Sequence, residues 1–164
     1  MGTRIRLATP EDASAACAVV RRSIAECCAE DHRNEPTLVD RWLANKTVPQ
    51  FQSWLDHPAV FAIVAERQGS VVGFAMAQDC EVQLCYLVPE ARFTGIGKSM
   101  LAALESHAAQ TRATWIQLRS TRTARAFYLR NGFAPTGPAV LAFGLENQPM
   151  RKTLTAMNMS SSTP

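Results

Sequence analysis

The sequence predicts an α/β fold, a mixed sheet carrying helices on both faces. The stretch "AVFAIVAERQGSVVGFAMAQ" sets two apolar runs on either side of the turn Arg67–Ser70, which is a hairpin signal. Downstream of it, strand-like and helix-like runs alternate, as crossover connections require. Apolar residues make up 47% of the 164-residue chain, enough for one domain with a real core.

The elements follow in chain order. "TRIRLA" (Thr3–Ala8) reads as a first strand. "TPEDAS" then starts a helix, with Thr9 as cap and Pro10 in the first turn. Apolar residues at Ala13, Ala16, Val20 and Ile24 share one helical face as far as Cys27 and Cys28. The polar run Glu30–Pro36 breaks that helix; a second spans about Thr37–Asn45 and a third Val48–Asp56. The hairpin comes next, then a strand, "EVQLCYLVPE", ending at Pro89. A helix from about Gly95 to Thr111 places Ile96, Met100, Leu101 and Leu104 on its apolar side. "TWIQLRS" (Thr114–Ser120) is a strand and Thr123–Asn131 a helix, closed by Gly132 in the left-handed conformation. "AVLAFGLE" and "MRKTL" read as a closing pair of strands. Residues 1–156 are expected to form one domain and residues 157–164 a disordered tail.

Charge and composition narrow the function. The net charge is +3 with 19% charged residues and no Lys/Arg block, which permits an anionic ligand and argues against a nucleic-acid partner. The longest apolar runs, near Phe61–Ala65 and Leu84–Val88, are too short to span a bilayer. "MGTRIRLATPEDAS" has no apolar signal core, so a cytoplasmic location is expected. The five cysteines lack a CxxC pair and read as free thiols. His32, His57 and His107 lie far apart, so no metal site is expected, and His107 reads as solvated.

The stretch "RFTGIGKSM" carries the chemistry. Gly97-Lys98-Ser99 ends like the phosphate loop of a nucleotide triphosphatase, but Arg92 stands where that loop needs its first glycine. What remains is a Gly-rich turn from a strand into a helix, whose free N–H groups suit an anion. Arg92 and Lys98 add positive charge there. From Gly-x-Gly alone, a ligand-free structural turn is the favoured reading.

"LCYLVPEARFTGIGKSMLAALE" resembles the acetyl-CoA-binding core of the GCN5-related N-acetyltransferases (GNAT). Their signature, Arg/Gln-x-x-Gly-x-Gly/Ala after a Val-x-Pro-Glu strand end, matches at Arg92, Gly95 and Gly97. A second signature, an aromatic-Tyr pair followed by Gly-Phe, matches in "FYLRNGF" (Phe127–Phe133). The resemblance covers about residues 3–155. It implies a GNAT-like, mostly antiparallel sheet with splayed central strands, and acetyl transfer from acetyl-CoA to a primary amine within a ternary complex, with no metal. The pyrophosphate would sit on backbone amides of Phe93, Thr94, Gly95, Ile96, Gly97 and Lys98, beside Arg92. Backbone groups of Cys85, Tyr86 and Leu87 would hold the pantetheine arm, with the Leu87 N–H aimed at the thioester oxygen. Tyr128 matches the acid that protonates the leaving thiolate. Thr121 stands where members often carry an asparagine that touches the pantetheine.

The base is open between Glu81 and a water relay. Glu81, Gln83 and Cys85 share one strand face if the bulge falls later. Cys85 itself reads as packing rather than as a nucleophile. Arg125 reads as a solvated helix residue, with the 3′-phosphate as the other option. The resemblance assigns acceptor specificity to Ala25–Trp54 and Thr136–Asn147. Within the first segment, Glu30, Asp31, Glu35 and Asp40 beside Trp42, Phe51 and Trp54 are either an amine receptor or a polar connection over a tryptophan core. The amine stays unnamed. Family members often pair through their sheets, so a homodimer is a further expectation. A domain of this type that binds acetyl-CoA without turnover is the alternative.

Overall fold

The computed structural model describes residues 2–154. Strand β1 (Thr3–Leu7) leads through a 3-10 turn at Pro10–Asp12 into α1 (Ala13–Cys27). The short α2 (Ala29–His32), α3 (Pro36–Leu43) and α4 (Val48–Asp56) follow. Three strands come next: β2 (Val60–Arg67), β3 (Ser70–Gln78) and β4 (Glu81–Leu87). The chain then alternates through α5 (Ile96–Gln110), β5 (Trp115–Ser120) and α6 (Arg122–Arg130). It closes with β6 (Ala134–Pro135), β7 (Val140–Ala142) and β8 (Leu145–Thr153).

The strands form one sheet in the order β1-β2-β3-β4-β5-β8-β6, with β7 added onto β8. Among the described residues every pairing is antiparallel except β4–β5, which the α5 crossover makes parallel. Period-2 alternation splits each central strand between two cores. Ile63, Ala65 and Ala75 face Met100, Leu101 and Leu104 of α5. Ala62, Val64, Phe74 and Met76 face Ala16, Val20 and Ile24 of α1 and Phe51 of α4. Burial on both faces is why β2 and β3 read as nearly continuous apolar runs.

The structure revises several expectations. The break at Glu30–Pro36 begins with a turn of helix, α2, and reverses at Arg33 and Asn34, both with positive φ. "AVLAFGLE" is a hairpin in its own right, turning at Phe143 and Gly144. Its second arm runs unbroken through "MRKTL", so those two segments do not pair as separate strands. His107 is half-buried and stacks on Phe61 with ring centroids 3.8 Å apart, instead of standing in solvent. Gly132 does adopt the left-handed conformation, at φ +94°. The predicted tail, residues 157–164, lies outside the described residues.

Candidate active site

The central feature is an opening between β4 and β5. The two strands pair only at Glu81↔Gln117 and Val82↔Leu118, then diverge. β4 is bulged: Ala77 opposes Val82 and Met76 opposes Leu84, so Gln83 is the extra residue. A bulge here adds local twist and turns the rest of β4 away from β5. Beyond it, the Val88 N–H donates to the Val72 carbonyl at 2.9 Å. Antiparallel ladders alternate bonded and non-bonded pairs. Tyr86 and Phe74 are therefore a bonded pair, while the backbone groups of Cys85 and Leu87 point away from β3, into the opening. This corrects one expectation: Tyr86 gives its backbone to β3, and only Cys85 and Leu87 offer theirs to a ligand.

The bulge corrects a second. Because Gln83 is extra, Glu81 shares the face of Leu84 and Tyr86, and Cys85 lies on the other face with Val82. Glu81 lines a cleft of ≈ 320 Å³ on the α3 side of the sheet, together with Trp42, Lys46, Tyr86, Arg119 and Asn147. Cys85 and Tyr128 line a narrower wedge in the opening itself, ≈ 50 Å³, which shares Gln83, Arg119 and Thr121 with the cleft.

At the far end of the opening, β4 runs through a 3-10 turn at Pro89–Ala91 into the Gly-rich turn and α5. Among the described residues, the backbone N–H groups from Phe93 to Lys98 donate to no protein acceptor. Phe93 at φ +60° and Gly95 at φ +86° curl this run of donors into a concave nest at the positive end of the α5 dipole. Phe93 is 86% exposed, with the Arg92 guanidinium 4.9 Å from its ring centroid. A Cβ on Gly97 would come within 3.3 Å of the Phe127 ring and 3.5 Å of Leu87, so this glycine also lets α5 approach α6 and β4. The donors, the dipole and the open approach fit a pyrophosphate.

Tyr128 is buried at 6% exposure, in edge contact with Phe127 and Phe133, and lines the wedge with Cys85. Burial, then the neighbouring Cys85, raises its pKa well above that of an ordinary phenol. Burial likewise pushes the Cys85 thiol up to about 12, against the opposing effect of Tyr128. A thiol that stays protonated is a poor nucleophile, which speaks against an acetyl-cysteine. Thr121 caps α6, its hydroxyl oxygen accepting from the Ala124 N–H at 3.2 Å. Thr121 also lines the wedge, and its O–H remains available as a donor.

Two polar residues read as free groups in the sequence are committed elsewhere. Asp31 is buried and accepts from the N–H groups of Arg122 at 2.7 Å and Thr123 at 3.2 Å, so it caps α6 and is no amine receptor. Arg125 is half-buried and pairs with Glu146 at 3.0 Å instead of standing in solvent. Sequence reasoning also missed Lys46 and Arg119. Lys46 falls inside the acceptor segment, where the acidic and aromatic residues stand out instead. Arg119 ends a strand whose neighbour at that point could be known only from the register.

Comparison with known proteins agrees with this geometry. Residues 29–154 match the model of the acetyltransferase (GNAT) domain, so the chain belongs to that family. The fold is shared with a GCN5-related N-acetyltransferase from Rhodopseudomonas palustris at TM-score 0.83 and 25% identity, covering 94% of this chain and 97% of the other. PaiA N-acetyltransferase from Thermoplasma acidophilum, solved in complex with coenzyme A, superposes at TM-score 0.83 and 19% identity, covering 93% and 99%. A ribosomal-protein-alanine N-acetyltransferase from Brucella melitensis follows at TM-score 0.71 and 24% identity, covering 92% and 99%. A search of curated proteins found no match.

Proposed function

We propose that this protein is an acetyl-CoA-dependent N-acetyltransferase in which a primary amine attacks the thioester directly. The observation that carries the reading is the opening in the sheet, where unpaired backbone groups of Cys85 and Leu87 stand between a phosphate-sized nest and a polar cleft.

In this reading the N–H groups of Phe93–Lys98 and the Arg92 side chain hold the pyrophosphate. Cys85 and Leu87 add the pantetheine arm to β4 as a further strand, with Thr121 donating from the other side. Acetyl-CoA supplies the activated acetyl group, and coenzyme A leaves as the thiolate. The Leu87 N–H is aimed at the thioester oxygen, where negative charge develops as the amine attacks. Glu81 lines the cleft from which the amine enters and removes its proton, directly or through water. Tyr128 keeps its own proton until the thiolate leaves, because burial makes it a weak acid. The two proton-transfer groups sit on opposite sides of the opening, one for each partner.

The test is free-thiol release over a diverse amine panel, with acetyl-CoA binding measured alongside. Turnover on some amine is expected. Binding of acetyl-CoA without turnover on any amine would identify a sensor instead. Glu81→Gln should lower kcat/KM by roughly 10²- to 10⁴-fold. The variant's rate should also depend more steeply on pH, since without the carboxylate only amine that has already lost its proton can attack. An unaltered rate and pH profile would remove Glu81 from the mechanism.

A further inference from the structure

The cleft that would receive the amine has an uneven charge pattern. It is lined by two cations, Lys46 and Arg119, and by one carboxylate, Glu81. Among the described residues none of the three forms an ion pair. Lys46 is 7% exposed, and its ammonium donates only to neutral oxygens, Asn45 Oδ1 at 2.6 Å and the Trp42 carbonyl at 3.4 Å. A buried ammonium without a counter-ion is costly, and burial lowers its pKa accordingly. An anion bound beside it would offset that cost. Arg119 projects from β5 with no protein partner among the described residues, and its planar fork suits a carboxylate. The cleft volume of ≈ 320 Å³ is that of a small-molecule site.

Resting on the acyl-transfer reading, we propose that the acceptor is a small amine that also bears a carboxylate, with its acid end toward Lys46 and Arg119 and its amine toward Glu81. Glu81 then serves one end of a zwitterion and the two cations the other. Polyamines and other polycations are disfavoured, because they would bring like charges against Lys46 and Arg119.

The experiment measures kcat/KM by thiol release for matched amines: β-alanine against propylamine, glycine against glycinamide, and putrescine and spermidine as polycations. The carboxylate-bearing member of each pair should be favoured by roughly 10-fold or more, the scale of one charge-assisted hydrogen bond. Arg119→Gln and Lys46→Met should each shrink that ratio by a similar factor, chiefly through KM. Phosphoethanolamine against ethanolamine is a separate arm, and a larger preference there than for β-alanine would overturn the carboxylate assignment. So would preference for polyamines, or ratios unmoved by either substitution. Because Lys46 is buried and its variant can lose stability, the exposed Arg119 is also tested by binding. N-acetyl-β-alanine should bind more tightly than N-propylacetamide, and Arg119→Gln should erase the difference. Arg119-dependent binding without turnover on any amine would uphold the carboxylate site and sink the acyl-transfer reading. Turnover without charge preference would do the reverse.

Discussion

Tyr128 is enclosed by Phe127 and Phe133 and lines the opening beside Cys85. Tyr128→Phe keeps the packing and removes only the proton donor. The expected result is a fall in kcat of roughly 10²-fold or more, with KM for the amine little changed, read from steady-state kinetics. Because burial raises the phenol's pKa, the wild-type rate should not decline at the ordinary phenol value of about 10. Tyr128, Gly95 and Gly97 could be picked out beforehand because each sits in a short motif of fixed spacing. Gln83 could not be recognised as the bulge. Nothing in "EVQLC" marks the extra residue; the register with β3 decides it, and that register is a property of two strands rather than one. The same limit hid the true face of Glu81.

At the level of elements, local signals worked where a local cause acted. The turn at Gln68 and Gly69, both with positive φ, and the left-handed close of α6 at Gly132 follow from nearby residues. The capping of α6 by Asp31 does not, since the carboxylate lies 91 positions before its partner Arg122. This contact joins α2, in the predicted acceptor segment, to the helix that carries Tyr128. Asp31→Ala should cost about 1–2 kcal/mol, as a lost helix cap does, measured as a lower urea midpoint. Asp31→Asn, which can still accept one hydrogen bond, should cost less. The β7–β8 hairpin was misread because its turn, Phe143-Gly144, lies inside an apolar run. Glu146 on its second arm pairs with Arg122 and Arg125, so this hairpin is fastened to the same helix.

Across the whole molecule, order and class of elements were readable because hydrophobic periodicity reports which faces are buried. The two cores were not separable in advance, since strands buried on both sides show no alternation. One long-range ion cluster ties the sheet edge to the start of α1. Arg6 on β1 makes a two-pronged contact with Asp12, 2.8 Å on each side, and reaches Glu66 on β2 at 2.7 Å. The Arg6 hydrogen bonds are the main reason Asp12 titrates below the usual carboxylate range. A depressed folded-state pKa stabilises the protein above the unfolded value of about 4, and the effect is lost as pH falls through the folded value. Asp12→Asn should therefore lower the urea midpoint at pH 7 and narrow the gap from the wild type at about pH 3. An equal gap at both values would show that the cluster has no such role.

The parting of β4 from β5 also has a mechanical meaning. Among the described residues only two ladder pairs, Glu81↔Gln117 and Val82↔Leu118, join four strands on one side to the remaining ones on the other. The sheet is a pair of panels meeting at an internal seam, and α5 is the covalent strap across it. Amides at Cys85 and Leu87 should exchange with solvent deuterium as fast as those of an outer strand, although they stand mid-sheet. Adding coenzyme A should slow them and stiffen the joint, so that the cosubstrate completes the panel it is bound by.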